Sequence, residues 1–255
     1  MQLFSARLLR MLNLILPVMQ IVVTVIAFEI GTTFDRATNS SAGEPPIIPA
    51  GYAFIIWSVI YAGSVLYGIL QSTPERKGDP LLVRIRPLTA SAFIATICWL
   101  AAARFNLTGL TVLCMVWLVA SLLPAFMAFM RAQREFTSIE QIAMVIPLSI
   151  YTGWVTVAIF ADLSAFLFRH GLLNVLVTPA WWAVIMVCVA GLIAARLTFK
   201  SASIPFALTI CWALVAILVA NLTREHHLEV VLSCAMMAGV QIGVLLLARL
   251  QHVTS

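Results

Sequence analysis

Few side chains in this sequence are equipped for chemistry, and most of those are aromatic. The ionisable exception is Asp162, which follows some twenty apolar or weakly polar residues near the outer end of the fifth hydrophobic run. A carboxylate at such depth is usually functional or paired. The competing reading is that it ends the span at the headgroups; because Leu163 to Phe168 continue apolar, both readings stand. Arg104 and Arg169 are the nearest partners by position. As an acid or base, Asp162 would need partial burial to bring its pKa towards working pH, with Tyr151 or Tyr61 as a partner. The chain has no His-x-x-x-His, Asp-rich magnesium motif, Gly-x-Ser-x-Gly elbow or phosphate loop, which argues against most membrane hydrolases, prenyltransferases and proton-coupled pumps. No catalytic residue and no enzymatic activity is predicted. Of His170, His226, His227 and His252, the adjacent pair lies with Glu225 and Glu229 in an outer loop. A helical metal site uses i and i+4 partners, so a solvated loop without metal is expected. Cys98, Cys114, Cys188, Cys211 and Cys234 all fall inside hydrophobic runs with no Cys-x-x-Cys, giving no redox or zinc signal.

The aromatic residues are better organised. Within Pro49-Ala-Gly-Tyr-Ala-Phe-Ile-Ile-Trp-Ser-Val-Ile-Tyr61, the positions Phe54, Trp57 and Tyr61 stand at i, i+3 and i+7, one stripe of a helix. Tyr52 points elsewhere, near the helix start. Trp99 and Trp117 lie in the third and fourth runs, and Tyr151 with Trp154 makes a second i, i+3 pair on the fifth. Membrane helices pack through small residues that allow close approach. Rings on several helices would hold those helices apart, and one outcome is a cavity lined by flat apolar surfaces.

The elements that must carry these rings follow from composition. A chain of 255 residues, 62% hydrophobic and 10% charged, with mean hydropathy +1.05, has more apolar surface than a soluble core hides. Uncharged runs of spanning length recur. They predict eight helices: Leu12 to Phe28, Gly51 to Gln71, Pro87 to Ala103, Leu107 to Met130, Gln141 to Ala161, Pro179 to Ala195, Ile204 to Leu222 and Val230 to Ala248. The fold class is all-α, a polytopic membrane helical bundle. Basic residues test the count through the positive-inside rule. With eight spans, Arg7, Arg10, Arg76, Lys77, Arg84, Arg86, Arg131, Arg134, Arg196, Lys200 and Arg249 fall on one side, and only Arg36, Arg104, Arg169 and Arg224 on the other. Both termini are therefore expected in the cytoplasm, with the protein in the plasma or inner membrane. The basic balance reflects topology, not a nucleic-acid footprint. The first run, behind Arg7 and Arg10, is a retained helix with a kink at Pro17, since no clear cleavage site stands near Ala27-Phe28-Glu29.

Between the runs, Gly31 to Ala50 is the longest polar connection and Ser72 to Ile85 an irregular inner loop. Thr178 and Pro179 supply a cap and a first-turn proline for the sixth helix, with Trp181 and Trp182 assigned to the headgroup belt. Asn39-Ser-Ser, Asn106-Leu-Thr and Asn221-Leu-Thr match the glycosylation triplet, a short pattern for which coincidence is the default. No small-xxx-small pattern is strong enough to mark a dimer face, so a homodimer is left open.

Two blocks together, Pro49-Ala-Gly-Tyr-Ala-Phe-x-Ile-Trp-x-x-Ile-Tyr61 and Pro147-Leu-Ser-Ile-Tyr-x-Gly-Trp-Val-Thr-Val-Ala158, resemble the tryptophan-rich sensory protein family, relatives of the translocator protein (TspO/MBR). The likeness covers Met1 to about Phe168, a five-helix unit. Residues 169–255 then form three additional helices of unknown role, as in the longer bacterial branch. The family's Asn-x-x-Trp on the third helix is Thr96-x-x-Trp99 here, and Asp162 stands where relatives commonly place Asn. The resemblance implies a five-helix pocket for a planar apolar ligand, porphyrin or sterol-like, with Tyr52, Phe54, Trp57, Tyr61, Trp99, Tyr151, Trp154 and Asp162 at the site. It implies a transporter or sensor in the bilayer with no firm cofactor, a bound tetrapyrrole being the nearest candidate. The alternatives are a membrane enzyme that modifies a tetrapyrrole and an assembly subunit of a membrane complex.

Overall fold

In a computed structural model of the protein, residues 2–29, 44–132, 134–172, 177–224 and 226–254 are described. Among them the regular structure is entirely helical: α1 (Gln2–Glu29), α2 (Ile56–Ser72), α3 (Pro80–Arg104), α4 (Thr108–Met130), α5 (Ile146–Arg169), α6 (Pro179–Ser201), α7 (Ile204–Thr223) and α8 (Leu228–Thr254). Eight helical stretches are long and apolar enough to cross a membrane. The protein is an all-α, multi-pass membrane helical bundle. Asp35, Arg36, Asn39 and Glu225, which entered the charge and glycosylation readings, lie outside the described residues, as do the side chains of Glu29 and His252.

Three boundaries differ from the expected ones, each for a local reason. The chain turns through a 3-10 helix at Gly51–Ile55 before α2 begins, so Phe54 is not on the same regular α-helical face as Trp57 and Tyr61. The third helix begins at Pro80, well before Pro87, because the Asp79 carboxylate accepts from the Leu81 and Leu82 amides while Pro80 fills the first turn. Arg84 and Arg86 thus lie within α3, and the irregular inner stretch shrinks to a 3-10 turn at Pro74–Arg76 and the residues around Gly78. The fifth membrane stretch runs from Ser138 to Arg169. It opens with a capping box between Thr137 and Glu140 and a π turn at Gln141–Val145, where Ile146 N–H donates to Gln141 O. Pro147, with no amide hydrogen, follows that turn directly, so the wider bond is made just before a donor is missing. The first helix passes unbroken through Pro17, and Thr178 caps α6 as its sequence predicts.

The chain forms two compact units. One contains Met1–Thr32 and Ile55–Thr152, the other Thr33–Phe54 and Gly153–Ser255. In the first unit α1 packs on α2 and α3, and α3 on α4. Close approach is fixed by glycine: a Cβ on Gly68 would stand 2.4 Å from the Asn13 carbonyl oxygen, and one on Gly63 2.5 Å from the Pro147 ring. At one end of these helices Arg86, 1% exposed, donates from Nε to Gln71 Oε1 (2.9 Å), from Nη2 to the carbonyls of Gln71 (3.0 Å) and Arg76 (2.7 Å), and from Nη1 to that of Lys77 (3.1 Å). A guanidinium so enclosed ties the end of α2 and the following turn to α3. Beside it Asn13 donates to Arg86 O (2.9 Å) and accepts from Thr89 (2.6 Å), whose hydroxyl lies 3.0 Å from that of Tyr67. Buried Glu140 meets both Arg76 (2.5 Å) and Arg134 (2.9 Å), and Arg134 reaches Asp79 (3.0 Å).

In the second unit α8 packs on α6 and α7, and Ala183, Ala190 and Ala194 on α6 and Ala213, Ala216 and Ala220 on α7 are all buried. These are small residues at helical spacing used within the chain. Gly191 of α6 lies against α8, since a Cβ there would meet Met237 Cε at 2.5 Å. Residues 44–54 lie antiparallel along α7 as a strap. Arg224 pairs with Glu44 (3.1 Å), Asn221 Nδ2 donates to Pro46 O (2.6 Å), Ala50 N–H to Ala216 O (3.0 Å) and Trp212 Nε1 to Ala53 O (3.2 Å). Asn221 is 3% exposed with its amide committed to this contact, so its triplet does not present a free acceptor for sugar. Asn106, by contrast, is exposed at a turn with φ +57°.

Candidate functional site

The rings predicted as one wall divide between the units. In the first unit Trp57 on α2 is the centre: it stacks on Trp99 of α3 (centroids 5.6 Å, planes 22° apart), tilts against Tyr61 (5.5 Å) and stands edge-on to Tyr151 of α5 (6.0 Å, 76°). All four are buried. Two of these contacts are the offset-stacked and T-shaped arrangements that ring quadrupoles favour. Trp57 and Tyr61 are one turn apart on α2, and Tyr151 stands on α5 shortly after the π turn and Pro147.

A polar ladder runs along this cluster, and two of its members come from positions the sequence reading passed over. Thr96 donates to Ala92 O (3.0 Å) and shares a hydrogen bond with the Tyr151 hydroxyl. Gln20 of α1, fully buried, donates from Nε2 to the same hydroxyl (3.4 Å). Thr24, one turn on, places its hydroxyl 3.0 Å from that of Tyr61. Thr96, standing where the family's asparagine is expected, is therefore a hydroxyl relay to Tyr151. Gln20 and Thr24 carried a weak signal in hindsight: polar residues four apart in an otherwise apolar span.

In the second unit Phe54 meets Trp154 edge-on (5.9 Å, 80°), and Tyr52, 46% exposed, meets Trp212 edge-on (5.4 Å, 82°). Gly153 admits α7 beside Trp154, for a Cβ would stand 3.0 Å from Thr209 Cβ and 3.1 Å from Phe206 O. Asp162 is half-buried about two turns before α5 ends, so it lies within the helix and does not terminate it. Trp181 is exposed at 56% as a belt residue would be, whereas Trp182 turns its Nε1 to Ser164 Oγ (3.2 Å). Trp117 donates to Ser91 (2.8 Å) at the α3–α4 contact and takes no part in the Trp57 cluster. His227 lies 3.7 Å from Glu229, and His226 is exposed with φ +55°.

Both sequence blocks thus have structural meanings, with Pro147, Tyr151, Gly153 and Trp154 each at a distinct helix contact. No curated protein and no solved structure matches the chain. The family model of TSPO-like proteins matches residues 10–248, reaching past Phe168 through α6, α7 and nearly all of α8. With that match across all eight membrane stretches, the chain belongs to the TSPO-like protein family.

Proposed function

We infer that this protein is a membrane binding protein for a planar apolar ligand, porphyrin or sterol-like, and that it works as a transporter or sensor. The observation that carries this reading is the buried Trp57–Trp99 stack with Tyr61 and Tyr151 at its edges. A flat ligand can replace one ring of such a stack at little loss of dispersion, and the hydroxyl ladder orients it. The family resemblance further proposes Tyr52, Phe54, Trp154 and Asp162, all within the second unit, as binding positions. The setting is the plasma or inner membrane with both termini cytoplasmic. No general base stands in the Trp57 cluster, whose polar groups are an amide, hydroxyls and indole N–H donors, and this favours binding over catalysis.

The test is a porphyrin titration of the purified protein read by tryptophan emission. Saturable quenching is expected, with the affinity lowered at least tenfold by Trp57→Ala. Emission that is unchanged, or quenching indifferent to Trp57→Ala, overturns the reading. Mass analysis of the porphyrin after incubation in light and in dark separates the enzyme alternative, which requires an altered ligand.

A further inference from the structure

In the Trp57 cluster the ring faces are satisfied, but two buried polar atoms are not. Trp57 Nε1 is buried without a protein acceptor, and Gln20 Oε1 is buried without a protein donor. Both residues exceed nine-tenths burial, at 7% and 0% exposed. An indole nitrogen only donates, so the first atom is unambiguous. The second is fixed by counting protons. With the Thr96 proton assigned to Ala92 O one turn back, Thr96 accepts from Tyr151, and Tyr151 spends its own proton there. The Tyr151 oxygen is left able only to accept from Gln20, which must therefore turn its NH2 towards Tyr151 and leave Oε1 as the orphan. One vacant donor and one vacant acceptor consequently border the same tyrosine: Trp57 touches its ring and Gln20 its hydroxyl. Unmet buried groups of this kind are costly to keep in a membrane interior.

Resting on the binding function inferred above, we propose that this site selects planar ligands carrying an adjacent N–H donor and carbonyl or ring-nitrogen acceptor on one edge, as in a lactam or pyrrole–lactam system. Gln20 Oε1 takes the N–H, and Trp57 Nε1 gives its hydrogen to the acceptor. A sterol-like hydrocarbon edge leaves both atoms unmet and is disfavoured, so Gln20 is the specificity-determining residue on α1. Stacking on Trp57 supplies affinity for any flat ring, and the two orphan atoms supply the choice among them.

The experiment titrates the purified protein by calorimetry with three bicyclic probes of similar size: 2-quinolone, N-methyl-2-quinolone and naphthalene. The expected order is 2-quinolone, then N-methyl-2-quinolone, then naphthalene, with about tenfold between the extremes. Gln20→Leu should erase the gap between the two quinolones, and Trp57→Phe, which keeps a ring but loses the donor, should erase the gap between N-methyl-2-quinolone and naphthalene. Because the two variants sit on different helices, a folding failure in one leaves the other to decide, with Gln20→Met as a further choice. Equal affinities for the three probes, or gaps that persist in the variants, overturn the proposal and assign the orphan atoms to buried water. If no bicyclic probe binds although porphyrin does, selection by edge fails and the aromatic site stands. If porphyrin fails as well, both fall.

Discussion

The two units of this chain draw on the same packing devices in different proportions. The first fills its interior with large rings and a lattice of buried polar groups, among them Trp57, Tyr61, Tyr67, Phe93, Trp99, Phe126, Phe129, Tyr151, Asn13, Gln20, Gln71, Arg86 and Thr89. The second buries a series of alanines on α6 and α7 and lays a backbone strap along α7. Small residues let helices touch over long stretches and leave one arrangement available. Rings with hydrogen-bonded edges hold helices apart by a side chain's width, and that is where a guest can exchange with a host group. On the proposed binding function, the Trp57 stack of the first unit is where a flat guest finds a ring face.

The sharpest way to break this contrast is Arg86→Met. It deprives Gln71 Oε1 and the carbonyls of Gln71, Arg76 and Lys77 of their donor, and a loss of about 3 kcal/mol is expected in a thermal melt in detergent. A melt within 1 °C of wild type would show that these acceptors find water and that the lattice is not holding the unit. Next come the glycines, where the opposing atom decides the cost. Gly68→Ala drives a methyl against the Asn13 backbone carbonyl and should cost about 2 kcal/mol, whereas at Gly191 the nearest atom is the end of a Met237 side chain that can swing aside, with Cγ (3.0 Å) and Cβ (3.1 Å) left to give by a few tenths of an ångström, for about 1 kcal/mol. Equal losses would erase the distinction between a backbone-limited and a side-chain-limited contact. Asn221→Ala is a subtler probe: it releases Pro46 O, about 1 kcal/mol, and faster hydrogen exchange should appear in peptides covering residues 44–54 with the amides of α3 and α4 unchanged. Exchange that rises throughout would mean the strap and the first unit open together. The smallest effect is expected for Trp117→Phe, which loses one partly exposed bond to Ser91 while Ser91 and Ser121 keep theirs (3.0 Å); porphyrin affinity should stay within twofold of wild type.

The legible part of this protein was the part encoded in runs. Eight apolar stretches gave eight helices, and Thr178-Pro179 started α6 as its chemistry requires. The aromatic positions were visible as residue types, but their grouping was not. Phe54 fell outside the regular helix because Gly51–Ile55 winds as a 3-10 turn, and it meets Trp154, while Trp57 turns to Trp99 and Tyr151. Asp162, balanced between span end and span interior, lies within α5 because the helix continues to Arg169. The small residues of α6 and α7, too weak as a pattern to mark a dimer face, are taken up inside the second unit. Residues 44–54, read as part of a polar loop, are pinned to α7 by side chains more than 150 positions away.

What the sequence determined by itself is residence in the membrane, the number of crossings and the kinds of side chain inside, because hydropathy over a span's length is a local sum. The tertiary structure alone decided which groups face each other. Gln20 and Tyr151 are 131 residues apart and Trp57 and Trp99 lie on different helices, so their encounter depends on how the helices pack, which glycines such as Gly63 and Gly68 allow to be close. A hydroxyl's partner is not written in its neighbours along the chain. The unmet edges of Trp57 and Gln20 exist only once the helices have closed.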